Sequence, residues 1–329
     1  MGSFFHRHPR LTPYLLLAPG LAWLALFFLV PLLFLGYQSL QSGVFPNFEF
    51  TWEFSNFTDA LSDYREQFFR SFLYAGIATV ASLLLAYPLV YWIAFRSGPW
   101  RNLFLLAIVA PFFVTYLIRT LAWLNILADE GPVVGFLQTI HVLGEGDGLL
   151  FIVAPFFVTY LIRTLAWLNI LADEGPVVGL LRTIHVLGED GRLLATTFAV
   201  VAGITYNFLP FMALPIYVSL EQIEPRLLEA AKDLYATPTQ TFLRVTLPLS
   251  APGIVAGTLL TFIPAAGDFI NAELLGTPNQ AMIGNVIQGK FLESLDYPTA
   301  ASLSFILMAL ILVALLVYAK VVGTEKLTG

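Results

Sequence analysis

Several uninterrupted apolar runs in the sequence are each long enough to cross a lipid bilayer as one helix. About 20 helical residues span the roughly 30 Å hydrocarbon layer, and the run at 14–35 contains no charged residue. Charged residues make up only 12% of the chain, about half the share typical of a soluble domain. The predicted fold is therefore an all-α, polytopic membrane helix bundle. Seven candidate spans lie near 14–35, 72–95, 103–127, 149–171, 193–220, 252–271 and 300–322.

Two of these candidate spans have nearly the same sequence. Residues 108–150 recur as 152–194, and only positions 136, 138, 146, 147 and 148 differ, so 43 − 5 = 38 of 43 positions match. Ancient structural repeats diverge outside their core positions, whereas this copy also preserves the loop at 128–132. The pattern indicates a recent tandem duplication of the block 107–150 as 151–194.

The distribution of lysine and arginine predicts the orientation, because these residues are retained on the cytoplasmic side. If residues 1–13 are cytoplasmic, six crossings leave the tail 323–329 cytoplasmic and 16 of the 22 acidic residues outside. Nine basic residues then lie inside, namely Arg7, Arg10, Arg96, Arg101, Arg226, Lys232, Arg244, Lys320 and Lys326.

A seventh ordinary span would invert everything that follows it and move the basic loop at 221–248 outside. We therefore expect six functional spans, and two explanations of the extra candidate stay open. One copy is accommodated irregularly, as a re-entrant or protein-covered hairpin, or the sequence does not describe the functional protein.

The loop at 221–248 is the only sizeable polar stretch predicted to face the cytoplasm. Its first part favours a helix, which Thr237 and Pro238 then interrupt, and a second run at 239–245 follows. Two short amphipathic helices with a turn between them would form a knob that suits docking on a soluble partner. An ordinary surface loop is the alternative.

The residue pattern of this loop resembles the coupling loop of binding-protein-dependent ABC importer permeases. The matching residues are Glu229, Ala230, Ala231, Val245, Leu247 and Pro248. The resemblance implies that the loop, including Lys232, Asp233, Leu234 and Tyr235, inserts into a cleft of a separate ATPase subunit. Tyr235 stands where the family usually has glycine, which takes a left-handed turn at little cost. We therefore expect a turn of different shape, or one shifted to Ala236.

Four further segments, 161–167, 206–212, 262–269 and 273–276, resemble the permeases of spermidine/putrescine importers. This resemblance implies a non-catalytic, multi-pass subunit of the bacterial inner membrane, with an ABC importer transmembrane domain at 14–322. It also implies a second permease subunit in a heterodimer, two ATPase subunits that hold ATP and Mg, and a periplasmic or extracellular substrate-binding protein. No cofactor on this chain and no nucleic acid partner are expected.

Other functions stay open at this stage. A related ABC permease could carry an opine, a phosphonate or ferric ion, and an ion-coupled secondary transporter is a different class. The second class usually shows more intramembrane ionisable groups and an inverted internal repeat, whereas the repeat here is direct.

A candidate path for a cation begins at Asp268, which follows an uncharged run from Pro252. Ionisable residues at membrane depth are costly and often functional, so Asp268, Asn271 and Glu273 are predicted to line the path. A carboxylate at the outer interface is the alternative. Aromatic faces can also hold cations, and the candidates are Tyr206, Phe208, Phe211, Trp167 and Tyr160.

Several patterns are interpreted as structural or as accidental. Gly253 and Gly257 are spaced for close helix packing. The segment 284–290 has the spacing of a phosphate-binding loop, but Phe291 replaces the required Ser or Thr, so it predicts no ATP site. The four histidines have no metal-ligand spacing and the chain has no cysteine, so no metal or catalytic site is predicted.

Overall fold

The structure is a computed structural model that describes residues 12–108, 164, 165, 167–188 and 191–322. Tyr160, most of the first copy of the duplicated block, the start of the second copy, residues 1–11 and the tail 323–329 lie outside the described residues. The predictions that concern those segments are therefore not addressed by the structure.

Helices make up most of the described chain. The α-helices with both ends described are α1 (Thr12–Leu24), α2 (Val30–Ser39), α3 (Ser55–Asp63), α4 (Arg65–Arg96), α5 (Pro176–Thr183), α6 (Thr197–Glu221), α7 (Pro225–Asp233), α8 (Pro238–Thr241), α9 (Leu247–Leu249), α10 (Ala251–Ala266), α11 (Ile270–Leu275), α12 (Ile283–Gln288) and α13 (Tyr297–Val322). Short π-helical segments join α1 to α2 and α8 to α9, and another follows α12. A two-stranded antiparallel hairpin, β1 (Gln41–Val44) and β2 (Asn47–Phe50), is an exception to the all-α prediction.

Four described helices are long and apolar enough to cross a membrane, which confirms the class of a polytopic helical membrane protein. They are Leu17–Ser39, Arg65–Arg96, Thr197–Glu221 and Tyr297–Lys320. A fifth candidate is the pair Pro238–Leu249 and Ala251–Ala266, which bends by 61° between its members. The candidates at 103–127 and 149–171 lie mostly outside the described residues, so the number six stays a prediction.

The chain divides into two compact units. The first comprises residues 1–68 and 286–310, and the second comprises 69–285 and 311–329. In the first unit the hairpin is tied to the end of α2, because Asn56 Nδ2 donates to the carbonyls of Ser39 and Gln41 at 3.0 and 2.8 Å. The ring of Tyr37 stacks on that of Phe50 with centroids 5.0 Å apart.

Among the residues that the structure describes, two apolar clusters form the core of the second unit. One contains Tyr74, Leu171, Ile204 and Leu275, and we call it the first cluster. We call the other the second cluster, and its buried members are Ala86, Tyr87, Val90, Ile93, Met212, Ala213, Ile216, Tyr217, Leu220 and Ile223. In a membrane these contacts exclude lipid rather than water, so close packing is what stabilises them.

Helices α6 and α10 approach closely at the two glycines of α10. A Cβ on Gly253 would lie 2.4 Å from the carbonyl oxygen of Pro215, and one on Gly257 would lie 2.9 Å from that of Met212. These distances are too short for a side chain, which confirms the predicted packing face. Because Gly253 faces a later part of α6 than Gly257 does, the two helices run antiparallel.

The second copy of the duplicated block packs into the core. Leu171 is buried in the first cluster, and Trp167 packs against it. The following loop is held by Arg182, whose guanidinium donates to the carbonyls of Asp173 and Gly191 at 3.1 and 3.3 Å. Arg192 adds an ion pair to Asp173 at 3.3 Å.

The first copy lacks both of these arginines. Gln138 occupies the place of Arg182, and Gly148 occupies the place of Arg192. The loop contacts seen in the second copy therefore require side chains that the first copy does not have.

Candidate functional site

The loop at 221–248 forms two short helices with a turn between them, as the sequence predicts. Helix α7 begins with Pro225 in its first turn and turns its apolar side inward, where Leu228 packs against the second cluster and Ala231 is buried. Glu229, Ala230 and Lys232 lie on its exposed side. The charged residues of the loop are thus presented outward from a helix that is anchored on the bundle.

The turn after α7 is a Schellman motif with Tyr235 in the left-handed region, at φ 57°. The amide of Tyr235 donates to the carbonyl of Lys232 at 2.9 Å, and that of Ala236 donates to the carbonyl of Ala231 at 3.0 Å. In a Schellman motif the left-handed residue stands immediately before the residue whose amide closes the turn. The expected shift of the turn to Ala236 is therefore wrong, because Ala236 supplies the closing amide and Tyr235 takes the strained conformation.

A capping box starts the second helix of the loop. Gln240 N donates to Thr237 Oγ1 at 3.3 Å, and Thr237 N donates to Gln240 Oε1 at 2.9 Å. Such reciprocal bonds satisfy amides that a helix start leaves free. Thr237 and Pro238 thus begin α8, whereas α7 has already ended at Asp233.

The return arm of the loop is anchored on α4. The Phe242 ring packs edge-on against the rings of Tyr87 and Tyr91, with ring centroids 5.7 Å apart in each case. Leu247 packs against the second cluster. Val245 is partly exposed and Pro248 is exposed. Both arms of the loop therefore contact the helices that form the second cluster.

Two apolar side chains project from the tip of the loop. Leu234 is 81% exposed and Tyr235 is 95% exposed. Exposed apolar side chains at the tip of an otherwise polar loop are typical of a docking surface. We call Leu234 and Tyr235 the loop tip.

A buried polar cluster lies where the predicted run 252–271 is interrupted. Helix α10 ends at Ala266, and Asp268, only 7% exposed, precedes α11. Its Oδ1 accepts from Asn271 N at 2.9 Å, and its Oδ2 accepts from Asn271 Nδ2 at 3.0 Å. Asn271 Oδ1 in turn accepts from Asn207 Nδ2 at 3.2 Å. Asp268 and Asn271 are thus brought together, and Asp268 is buried rather than at an exposed helix end.

Glu273 lies outside this cluster. Its side chain is exposed, and its Oε2 accepts from Asn285 Nδ2 at 3.0 Å. Asn285 Nδ2 also donates to the carbonyl of Phe269 at 2.8 Å. Asn285 thereby links Glu273 to the backbone of the turn that carries Asp268.

The predicted aromatic residues divide into two contacts. The Trp167 ring packs edge-on against that of Tyr206, with ring centroids 5.4 Å apart, and the centroids of Phe208 and Phe211 are 6.1 Å apart. Tyr206 and Phe211 are exposed, whereas Phe208 is buried. Both exposed residues, Tyr206 and Phe211, belong to α6.

Asn207 was missed as a site residue by sequence reasoning. It is 1% exposed, and it holds the third position in the chain of hydrogen bonds that begins at Asp268. The signal was present in the sequence, because an amide side chain near the middle of an uncharged span is a candidate for function.

The fold and the sequence together define a class of protein. The model of the family "Binding-protein-dependent transport system inner membrane component" matches residues 148–322, and the match begins beside the second copy of the block. A bacterial ABC transporter involved in the import of the acidic polysaccharide alginate shares the fold with a TM-score of 0.61, at 17% identity and over 99% of both chains. A second alginate ABC transporter structure, in complex with an alginate pentasaccharide-bound periplasmic protein, gives 0.57 at 18% identity over 99% of both chains.

Curated relatives agree with this class. The spermidine/putrescine transport system permease protein PotB of Haemophilus influenzae is 33% identical over 90% of this chain and 89% of its own length. PotB of Escherichia coli is 32% identical over 90% of this chain and 92% of its own length. The E. coli inner membrane ABC transporter permease protein YdcU is 32% identical over 98% and 93%.

The chain belongs to the family of binding-protein-dependent transport system inner membrane components. It is a multi-pass inner-membrane permease subunit of an ABC importer, and the family is one of transport components rather than of enzymes.

Proposed function

We propose that this chain forms the translocation path for a small cationic solute of the polyamine class, spermidine or putrescine, by alternating access. The observation that carries the proposal is the similarity to the PotB permeases along nine-tenths of the chain. The buried carboxylate of Asp268 gives it a physical basis, because a cation that sheds water needs a compensating negative charge. Asn271 orients that carboxylate, and Glu273, Tyr206, Phe211, Trp167 and Tyr160 complete the proposed path.

The driving energy comes from partner ATPase subunits. In this proposal two ATPase subunits bind ATP and Mg, and the loop tip with Glu229, Ala230, Lys232 and Asp233 enters a cleft on one of them. A second permease subunit completes a heterodimer, and a periplasmic or extracellular binding protein delivers the solute. Both termini lie in the cytoplasm, in agreement with the distribution of basic residues.

The anchoring of the loop suggests how movement reaches the path. Leu228, Phe242 and Leu247 join the loop to the second cluster, which includes residues of α4 and α6. Helix α6 also carries Asn207, the hydrogen-bond partner of Asn271. A displacement of the loop by closing ATPases would therefore move the helix that borders Asp268.

The substrate class is tested by competition. In proteoliposomes containing the complete transporter and its binding protein, unlabelled spermidine and putrescine should each suppress uptake of labelled spermidine. An opine, a phosphonate or ferric ion should leave it unchanged. Suppression by one of those solutes, and not by polyamines, would contradict the proposed substrate.

The coupling role is tested by charge changes on the exposed side of α7. Glu229→Arg and Ala230→Asp should abolish uptake and leave membrane insertion intact, because the introduced charges meet the partner surface and not the core. Gln222→Arg is a matched control, since Gln222 is exposed just before α7. Normal uptake in the two α7 variants would exclude this docking surface.

A further inference from the structure

The hydrogen bonds from Asp268 to Asn207 have a defined direction. An ionised carboxylate only accepts hydrogen bonds, so Asn271 must turn its Nδ2 toward Asp268, as observed at 3.0 Å. The Asn271 carbonyl oxygen then points away and accepts from Asn207 Nδ2. This in turn leaves Asn207 Oδ1 as the far end of the series. The two amide dipoles are therefore aligned, and their negative ends point away from Asp268.

Asn207 Oδ1 is a buried acceptor that has no hydrogen-bond partner among the residues that the structure describes. A desolvated carbonyl without a donor is costly, and more so in hydrocarbon, where water cannot compensate. Asn207 lies about 15 Å along α6 from its start at Thr197, at 1.5 Å per residue, close to the middle of the span. A donor group that reached this oxygen would remove that cost.

A second unpartnered oxygen lies at the same level of the helix pair. Thr261 Oγ1 on α10 is buried and also lacks a described partner. Gly257 of α10 is opposite Met212 of α6, and Thr261 is one helical turn further along. Because the two helices are antiparallel, that turn places Thr261 level with residues 207 and 208.

We propose that Asn207 Oδ1, with Thr261 Oγ1 at the same level of the helix pair, is a subsite that receives an ammonium group of the solute. The site favours a cation, because the aligned amides present their negative end and Asp268 supplies the charge behind them. Asn207 is almost fully enclosed in this structure, so the subsite opens only when α6 moves. The inference rests on the proposed function and deepens it by adding residues that contact the solute.

The test is the number of polyamine molecules imported per ATP hydrolysed by the complete transporter in proteoliposomes. Asn207→Leu, which has a similar volume and no acceptor, should lower putrescine import about tenfold or more, as expected for the loss of a charge-assisted hydrogen bond. ATP hydrolysis should stay within about twofold of wild type. Thr205→Val is the matched control, because Thr205 lies on the same helix and its hydroxyl already donates to the Val201 carbonyl at 2.7 Å.

Three results would overturn the inference. Import by Asn207→Leu within about twofold of wild type excludes a contact with the solute. A parallel fall in import and ATP hydrolysis assigns Asn207 a structural role only. If Asn207→Leu does not assemble, Thr261→Val decides, and unchanged import by that variant also overturns the subsite.

Wild-type import distinguishes failure of the proposed function from failure of the subsite. If the wild-type transporter imports neither putrescine nor spermidine, the proposed function fails, and the subsite fails with it. If wild type imports both and the Asn207 and Thr261 variants do so equally well, only the subsite is wrong.

Discussion

Tyr235 adopts a backbone conformation that is unfavourable for a residue with a Cβ. The left-handed region costs an L-residue about 1–2 kcal/mol relative to the right-handed one. The ring is 95% exposed, so packing within the described chain does little to offset this cost. We infer that the contribution of this side chain is the apolar surface that it forms with Leu234 at the loop tip.

Substitutions of Tyr235 distinguish the effect of its backbone conformation from the effect of its ring. Tyr235→Gly should leave thermal stability unchanged or raise the free energy of unfolding by up to about 1 kcal/mol, because glycine tolerates the turn. Uptake should nevertheless fall, since the proposed apolar contact with the ATPase would be lost. Tyr235→Phe keeps the ring and should behave like wild type. Full uptake by Tyr235→Gly would show that the ring has no part in coupling.

At the scale of the helices, lipid-facing and protein-facing spans look alike in sequence. Apolar length predicted α4, α6 and α13 well, because length is what a bilayer demands. Apolar length did not reveal the break after Ala266. The residues before Asp268 (252–266) and those after it (Phe269 and Ile270) are all apolar or small. The hairpin β1–β2 was not predicted either, because a short polar and aromatic segment after a span has no hydropathy signal of its own.

The loop at 221–248 was easier to predict than the buried cluster. Its helices are marked by local chemistry, above all by Pro238 and by the capping residues Thr237 and Gln240. The contact between Asn207 and Asn271 joins residues 64 positions apart. Such a contact depends on how helices pack, and no local pattern encodes it.

The packing of α6 on α10 gives a graded prediction for glycine variants. Gly253→Ala should lower thermal stability more than Gly257→Ala, because its Cβ would lie 2.4 Å rather than 2.9 Å from a carbonyl oxygen. Overpacking of this kind typically costs about 1–3 kcal/mol. Gly76→Ala on α4 is the control, since a Cβ there meets nothing within 4 Å, and it should leave the melting temperature unchanged or raise it slightly, because alanine favours a helix more than glycine does. Equal melting temperatures for all three variants would contradict the close approach.

At the scale of the whole molecule, the duplicated block raises the question of which copy forms the native span. The structure packs Leu171 of the second copy into the core and holds its loop through Arg182 and Arg192. The family match also begins at 148, beside that copy. We therefore expect the second copy to occupy the native span.

Two deletions of equal length test this expectation. Removal of residues 107–150 should preserve uptake, because the described contacts of the second copy remain. Removal of 151–194 should lower stability by about 1–3 kcal/mol, since Gln138 and Gly148 cannot replace the hydrogen bonds and ion pair of the two arginines. Thermal unfolding and uptake of both variants decide, and better function of the second variant would reverse the assignment.

The absence of cysteine from the sequence allows a direct test of topology. In Thr239→Cys the single thiol lies on the exposed loop. With an even number of crossings before it and a cytoplasmic N-terminus, a membrane-impermeant maleimide should label it only after permeabilisation. Ser294→Cys, in a segment predicted to lie outside, should be labelled in intact cells. Labelling of Thr239→Cys in intact cells would mean that the extra span is crossed and the loop cannot meet a cytoplasmic ATPase.

The energy source of uptake tests most directly whether this chain is the permease of an ATP-driven polyamine importer. The most direct measurement is uptake of labelled spermidine into proteoliposomes that contain the complete transporter, with ATP or the proton gradient removed in turn. Uptake should require ATP at the ATPase subunits and should persist when an ionophore dissipates the gradient. Uptake that continues without ATP and stops with the ionophore would contradict the account and indicate an ion-coupled secondary transporter.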